Sequence, residues 1–356
     1  MIDFFINIEI ILTEARCCMK NKFSKESDMI DYDEVDITFL VLTYNSNLHK
    51  LFVTLNSIIS QKNIRYQLVI SDDGSELFDK TAIEEFLIKN KVTNYIVKTL
   101  NENVGTVGNI RNGLCFCKSE YVKLLSPGDY LYGVNIAREW LDCIKKNNAS
   151  VCFGECIYYN YYNNELVPVS MYSSPQINDK FYKGRWEYNY LIFDDRCIGA
   201  CVLLKTELLK EYIELIYGKI KYTEDNIYRI MAYKCEKACY LRKESLLYEY
   251  GTGISTSGSQ KWEELIKKEF LIADEIMMNI PINDYFLENN FKRKVDQQSE
   301  TNRIKRRFKY LFINGVIYNK IRCLKKKKTS TVIDMEYVHK IHCLNNIMKG
   351  DDAVCR

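Results

Sequence analysis

Side chains suited to chemistry gather in four short polar stretches of the sequence. Three of them directly follow apolar runs: "TYN" at 43–45, "SDDGS" at 71–75 and "SPGD" at 126–129. The fourth, "YTED" at 222–225, places two carboxylates at the start of an amphipathic pattern. Carboxylates at strand ends can hold a divalent cation beside phosphate groups, and a single carboxylate can take the proton from an attacking hydroxyl. We expect these stretches to form one site if the fold brings them together.

An alternation of strand and helix patterns would bring the first three stretches to one edge of a sheet. Continuous apolar runs predict buried strands at 37–42, 66–71 and 121–125, with a further strand in "NYIVKTL". Apolar residues recur at helical spacing between 48 and 59, and another helix is predicted at about 79–90. The pattern indicates an α/β fold with a mostly parallel sheet, in which ligands bind beyond the carboxyl ends of the strands.

Composition excludes some classes of function. The 356 residues carry 50 basic and 47 acidic side chains, so no overall field would recruit nucleic acid. Fourteen cysteines without a convincing signal peptide indicate reduced thiols in a cytoplasmic protein. Three cysteine pairs, 152/156, 197/201 and 235/239, have i,i+4 spacing, which differs from the usual spacing of zinc ligands. We expect these thiols to be buried and inert.

The two ends of the chain differ from its middle. Residues 1–35 are predicted to be an N-terminal appendage. The apolar segment "MIDFFINIEIIL" within it is too short to span a bilayer. Residues 259–356 are predicted to be a helical, basic C-terminal region. Within it, 303–328 combines basic and apolar side chains, which suits either peripheral contact with an anionic membrane or a helix packed on the domain. It contains no recognisable nucleic-acid-binding module.

The middle region contains two features that bear on function. "YYNYYNNE" at 158–165 is predicted to be a hairpin or loop, and its tyrosines beside amides suit sugar faces, although codon bias explains the same composition. The spacing of apolar residues predicts a helix over 222–238, with Thr223 as N-cap and both Glu224 and Asp225 in its first turn.

In this order, these motifs resemble those of the family-2 glycosyltransferases, inverting enzymes of the GT-A fold, over about residues 36–255. "TFLVLTYNSN", "VISDDGS", "NENVGTVGNIRNG", "YVKLLSPGDYL" and "YTED" stand where that family has its nucleotide-binding, metal-binding and base motifs. The resemblance implies a domain at 36–258, with a nucleotide-donor half at 36–130 and an acceptor half at 131–258. The segment "YEYGTGISTSG" at 248–258 resembles the family loop that closes over the donor, or is an ordinary glycine-rich connection.

The resemblance also assigns the donor side. It implies that Thr43, Tyr44 and Asn45 line the pocket for the base and ribose. Asp72 would accept a hydrogen bond from the base, and Asp73 would support the same turn.

On the acceptor side, the resemblance implies that Asp225 is the general base that deprotonates the acceptor hydroxyl. Glu224 would bond the acceptor or orient the loop. Arg111 would assist at the donor phosphates, since a guanidinium suits phosphate oxyanions.

The metal motif departs from the family pattern. Ser126 and Gly128 stand at the two positions that usually carry its aspartates, and Asp129 follows them. Three explanations remain open. Asp129 binds Mn²⁺ or Mg²⁺ together with phosphate and water oxygens, or basic side chains replace the metal, or the protein binds its ligand without catalysing a reaction.

The leading hypothesis is an inverting transferase that moves a sugar from a nucleotide-diphosphate donor, a UDP-sugar, to a glycan or lipid-linked glycan. The resemblance points to bacterial surface-polysaccharide synthesis in the cytoplasm, on the inner face of the plasma membrane. The alternative is a non-catalytic protein that binds nucleotide sugars or glycans. A nucleotidyltransferase is disfavoured, because "TYNSNLHK" is not a glycine-rich basic loop for a triphosphate.

Overall fold

A computed structural model describes residues 35–163, 165–175, 185–251, 259–315 and 327–343. The strands within these ranges are β1 (Ile37–Thr43), β2 (Tyr66–Asp72), β3 (Tyr95–Thr99), β4 (Tyr121–Leu125), β5 (Tyr130–Leu131), β6 (Val151–Tyr162), β7 (Glu165–Pro168), β8 (Val202–Lys205) and β9 (Ala238–Glu249).

Helices connect most of these strands and follow the last one. They are α1 (Leu48–Ile59), α2 (Lys80–Lys89), α3 (Gly105–Leu114), α4 (Ile136–Lys146), α5 (Trp186–Leu191), α6 (Thr206–Ile216), α7 (Asn226–Tyr233), α8 (Gln260–Met278), α9 (Tyr285–Ser299), α10 (Arg303–Leu311) and α11 (Met335–Cys343).

All nine strands belong to one sheet with the order β3-β2-β1-β4-β8-β6-β9-β5, and β7 pairs with β6. The first four strands along the chain are mutually parallel, as the sequence predicts. Their carboxyl ends therefore point to the same edge. The α/β prediction is confirmed, with helices after most strands and a helical C-terminal region.

The second half of the sheet is mixed. β8 runs antiparallel to both β4 and β6, while β6 and β9 are parallel neighbours. The stretch 158–165 is a hairpin, because the end of β6 turns back into β7. The antiparallel β8 returns β6 and β9 to the direction of β4, so their ends reach the same edge.

The sheet is covered on both faces. Leu40 packs in one apolar cluster, whereas its neighbours Phe39 and Val41 pack in another, and all three side chains are fully buried. This alternation follows from the two-residue repeat of a strand. A side-chain carbon at Gly113 of α3 would lie 2.4 Å from Leu40, so this glycine allows helix and sheet to approach closely.

The helix predicted at 222–238 is shorter than expected. α7 covers Asn226–Tyr233, and a turn with i to i+3 hydrogen bonds precedes it, so Thr223 is not its N-cap. At the other end, Cys235 adopts a left-handed backbone conformation with φ of 58°, which ends the helix. The carboxylates of "TED" therefore lie on a tight turn before α7, rather than in its first helical turn.

No helix among the described residues combines the length and apolar character needed to cross a membrane. Of the stretch 303–328, the structure describes 303–315 and 327–328. The predicted appendage lies outside the described residues apart from residue 35, and so do 252–258 of the glycine-rich segment.

The packing of β1 gives a stability prediction. Leu40→Ala should lower the free energy of unfolding by about 2–5 kcal/mol, because it leaves a cavity in a fully buried site. The matched control is Leu77→Ala, at a side chain that is 95% exposed, where the change should stay within about 0.5 kcal/mol. Urea unfolding of both variants measures the difference, and equal losses would contradict this packing.

Candidate active site

Asp72 ties together three strand ends at the edge of the sheet. It is fully buried, and its carboxylate accepts hydrogen bonds from the hydroxyls of Thr43, Ser75 and Thr99 and from the backbone N–H of Ser75, at 2.6–2.8 Å. Thr43 ends β1 and Thr99 ends β3. The predicted contact between Asp72 and a nucleotide base stays a prediction, since in this structure the carboxylate is engaged by four donors from the protein.

Asp73 holds the start of α3. Its carboxylate accepts from the backbone N–H groups of Val104 (2.8 Å) and Gly105 (3.0 Å) and from the side-chain amide of Asn103 (2.9 Å). These donors and the charge of Lys221 favour the ionised form, but burial outweighs them and raises the pKa of Asp73. Asp73 therefore fixes the segment that leads into α3, and its predicted support of the turn at 71–75 stays a prediction.

The turn after β1 is more open than the turn that carries Asp72 and Asp73. Tyr44 is half exposed, and Asn45 has a left-handed backbone with φ of 45°. The backbone N–H of Asn45 donates to Ser75, and its side-chain oxygen accepts from the N–H of Glu76. The turns after β1 and β2 are thus joined, and the Tyr44 ring remains accessible.

Asp129 lies beneath its turn. It is 7% exposed, and its carboxylate accepts from the backbone N–H groups of Ser126 and Glu249. Burial raises the pKa of Asp129 to about 7, against the opposing charge of Lys123. This carboxylate supports the turn and has little surface to offer a cation.

Lys123 is a fully buried ammonium that sequence reasoning missed. It donates to the backbone carbonyl of Leu124 at 2.9 Å and to that of Ala200, and it lies 5.0 Å from the ring centre of Trp140. Burial lowers the pKa of Lys123 to about 8, while the charge of Asp129 acts in the opposite direction. Lys123 therefore connects β4 to the 3-10 turn at 199–201.

Sequence reasoning also missed the carboxylate of Glu249. It occupies the space at position 128 where the family pattern has an aspartate. A side-chain carbon at Gly128 would lie 2.4 Å from Oε2 of Glu249, which ends β9. Glu249 is 7% exposed, and its Oε1 lies 2.5 Å from the ammonium of Lys50 in the first turn of α1. An ion pair of Lys50 and Glu249 therefore stands beside position 128, where the family pattern has a metal-binding side chain.

Asp225 stands on the tight turn before α7. Its Oδ1 would lie 1.9 Å from a side-chain carbon at Gly199, so the lack of a side chain at 199 leaves room for this carboxylate. The residue is exposed, yet protein surrounds its carboxylate closely enough that lost hydration raises its pKa to about 6, against the charge of Arg196. The pKa of Glu224 is raised well above its usual value by burial and by repulsion from Asp225.

Glu269 of α8 holds this turn in place. Its carboxylate accepts from the backbone N–H groups of Lys221, Tyr222 and Thr223, and from the hydroxyl of Thr223 at 2.7 Å. Glu269 is 4% exposed. The C-terminal helical region therefore positions the Glu-Asp turn, over a sequence distance that no local pattern reveals.

Tyr248 lies between the two sides of the site. Burial raises the pKa of its phenol, and the charges of Asp129, Asp225 and Glu224 raise it further, so all three carboxylates are near this side chain. Its ring packs edge-on against Tyr158 at the end of β6. The structure thus brings the "SPGD" and "TED" stretches to one crevice.

Arg111 is not brought to this crevice by any contact described. Its guanidinium forms an ion pair with Glu214 at 2.6 Å and lies 4.4 Å from the ring centre of Tyr217. α3 begins at Gly105, beside Asp73, and Arg111 lies about 9 Å further along the helix. Its predicted contact with the donor phosphates has no geometric support.

The described residues do not form a ready cation site in the crevice. Ser126 and Gly128 offer no carboxylate, Asp129 accepts from backbone N–H groups, and Glu249 is paired with Lys50. Over the described ranges, no three carboxylates or imidazoles bring their ligand atoms together.

Comparison with known proteins agrees with this arrangement. Residues 38–213 match the family model described as Glycosyl transferase family 2. The chain is a glycosyltransferase, and residues 38–213 are the part that is similar to family 2. The matched residues include the turns after β1, β2 and β4 and end within α6, before the Glu-Asp turn.

Two solved structures of TarS from S. aureus share the fold of this glycosyltransferase. The structure of TarS 1–349 has a TM-score of 0.52 and 17% identity, with 81% of each chain covered. The structure of TarS 1–349 in complex with UDP-GlcNAc has a TM-score of 0.53 and 18% identity, with 82% of this chain and 80% of that one covered. This likeness confirms the GT-A-like fold. No curated protein sequence matches the chain.

The contacts of Glu269 predict that its charge orders the Glu-Asp turn. Glu269→Gln should weaken hydrogen bonds worth about 1.5–3 kcal/mol to a charged acceptor, so the amides of Tyr222 and Thr223 should exchange faster. Hydrogen exchange followed by mass spectrometry measures this. The matched control, Glu263→Gln, changes an exposed residue of the same helix and should leave exchange unaltered. Unchanged protection in Glu269→Gln would contradict this role.

Proposed function

We propose that this glycosyltransferase moves a sugar, with inversion, from a UDP-sugar to a hydroxyl of a glycan or lipid-linked glycan. The observation that carries the proposal is the accessible Asp225 carboxylate with a pKa raised to about 6, in the crevice that also holds the donor turns. Residues 36–130 would form the donor half and 131–258 the acceptor half. Glu249, from the second half, completes the donor side.

Asp225 would act as the general base. The acceptor hydroxyl gives its proton to Asp225 while its oxygen bonds to the anomeric carbon, and the bond from that carbon to the nucleoside diphosphate breaks on the opposite face. A pKa of about 6 leaves the carboxylate ionised near neutral pH but more basic than an ordinary aspartate. Glu224 would bond the acceptor or orient the turn.

The donor base would lie against the exposed ring of Tyr44, with Asn45 beside the ribose. Asp72, Asp73 and Thr43 would fix these turns from beneath. The TarS structure in complex with UDP-GlcNAc supports a UDP-sugar as the donor. The resemblance of the motifs supports an acceptor in bacterial surface-polysaccharide synthesis, which the chain would meet in the cytoplasm.

The diphosphate would accept hydrogen bonds from the Lys50 ammonium. This group lies beside position 128, and an ammonium is a strong partner for phosphate oxygens. Since the described carboxylates do not fit a dedicated Mn²⁺ or Mg²⁺ site, the proposed chemistry has no step through a cation. Of the three explanations for "SPGD", this arrangement favours basic side chains in place of the metal.

A non-catalytic binding protein is the second candidate, because positions 126 and 128 carry no carboxylate. It would bind a UDP-sugar without turnover, and substitution of Asp225 would leave that binding unchanged. A panel of UDP-, GDP- and dTDP-sugars, offered with and without glycan acceptors, separates the two candidates.

Loss of the base should slow transfer strongly. Asp225→Asn should lower kcat by about 10²–10⁴-fold, the usual contribution of a general base, with donor binding retained. In the unaltered enzyme, protonation of Asp225 below pH 6 should reduce kcat about tenfold per pH unit, with a plateau above about pH 7. The control is Asp142→Asn, an exposed residue on α4. Full turnover by Asp225→Asn would contradict the proposal.

The Lys50 proposal is tested by chelation and substitution together. Turnover should survive EDTA, and Lys50→Met should lower kcat/KM for the donor by about 10–100-fold through loss of a charged contact. Lys62→Met, at an exposed lysine just beyond α1, should have no effect. Turnover that ceases in EDTA and returns with Mn²⁺ would instead indicate a metal held near Glu249.

We also propose peripheral membrane contact through α10. No residue of this helix is buried, and its apolar side chains Ile304, Phe308 and Leu311 recur at helical spacing among basic residues. Phe308→Ser should weaken binding to phosphatidylglycerol vesicles about tenfold, as expected for loss of one buried aromatic. The control is Tyr285→Ser, also highly exposed but on α9. Equal sedimentation of all three proteins with these vesicles would contradict this contact.

A further inference from the structure

Three cysteine thiols meet at the end of the sheet opposite the crevice. Cys152 and Cys239 are register partners near the starts of the parallel strands β6 and β9, and Cys143 of α4 covers them. Their sulfur atoms all lie within 4.8 Å of one another, and those of Cys143 and Cys239 are 3.8 Å apart. The three residues come from three elements, so the spacing of cysteines along the chain did not reveal the cluster.

The sulfur separations suit a bound metal ion. With Zn–S bonds of about 2.3 Å, tetrahedral coordination places two thiolate sulfurs about 3.8 Å apart. The pair of Cys143 and Cys239 already has this separation, and Cys152 would need to move by less than about 1 Å. Because all three ligand atoms are sulfur, the site would select Zn²⁺ or Cu⁺ over Mg²⁺, Ca²⁺ or Mn²⁺.

Two lysines lie near the cluster, Lys146 beside Cys143 and Lys237 beside Cys239. Burial and hydrogen bonding to Cys143 raise the pKa of Cys152, and hydrogen bonding to Cys143 also raises that of Cys239, so these protons leave when a cation binds. Lys237 opposes the rise in the pKa of Cys239. Three thiolates and one divalent cation carry a net charge of −1, which these two lysines would offset.

We propose that Cys143, Cys152 and Cys239 bind one thiophilic cation, with Zn²⁺ as the first candidate, and that the cation fastens α4 to the starts of β6 and β9. Each of the bound thiols releases its proton to solvent, and water takes the fourth position. Access is from the side of Cys143, which is partly exposed, whereas the other two are buried. The site would be structural, since β6 and β9 reach the crevice only at their other ends. This proposal does not depend on the transferase chemistry.

Metal content and spectroscopy test the site directly. The full chain, purified with a phosphine reductant and supplied with Zn²⁺, should retain about one zinc per molecule and melt at a higher temperature than the metal-free protein. Substitution with Co²⁺ should produce thiolate-to-cobalt charge-transfer absorption. Each of Cys143→Ser, Cys152→Ser and Cys239→Ser should weaken zinc binding by at least about 100-fold. The controls are Cys117→Ser and Cys197→Ser, at buried thiols outside the cluster, which should retain the metal.

A measurement on the unaltered protein guards against variants that fail to fold. Zn²⁺ should slow alkylation of Cys143, mapped by mass spectrometry, more than that of the exposed Cys115. Absence of both retained zinc and the cobalt band would overturn the proposal, as would a cobalt band that all three cluster variants keep. A disulfide between Cys143 and Cys239 that persists in the reductant would overturn it as well.

Discussion

A single buried ammonium, that of Lys123, joins the two halves of the crevice. It lies near Asp129 on the donor side and bonds the carbonyl of Ala200, whose neighbour Gly199 lies against Asp225. A buried cation is costly unless acceptors surround it, so the positions of these groups are mutually dependent. The same requirement explains why Asp129 faces inward. Its carboxylate interacts with the charge of Lys123 and accepts a hydrogen bond from the backbone of its own turn.

The first four strands and the positions of the turns at their ends were largely predictable from the sequence, and the long-range contacts around them were not. Continuous apolar runs identify β1, β2 and β4, and parallel strands bring their turns to one edge. Glu249 and Lys50, by contrast, are 199 residues apart, and Glu269 reaches the Glu-Asp turn from a later helix. Contacts over such distances follow from the folded topology and have no local pattern. The helix at 222–238 was predicted to be too long, because the spacing of apolar residues does not reveal the left-handed backbone at Cys235.

The departure of "SPGD" from the family pattern has a structural counterpart. Glu249 occupies the space that a side chain at 128 would fill, and it forms an ion pair with Lys50. The Lys50 ammonium can still donate hydrogen bonds to phosphate oxygens without recruitment of a metal, while Glu249 offsets its charge. The thiol cluster adds a separate consideration, because a chelator that removes zinc would lower stability while leaving the crevice intact. Turnover and melting temperature therefore need to be followed together.

The central claim is that one crevice holds the donor between the Tyr44 turn and Asp225. A crystal structure with a non-hydrolysable UDP-sugar tests it most directly. The account predicts the uracil against Tyr44, the diphosphate within hydrogen-bond distance of Lys50, and the face of the anomeric carbon opposite the diphosphate turned toward Asp225. A nucleotide bound away from the Tyr44 turn, or an anomeric carbon whose free face is turned away from Asp225, would contradict it.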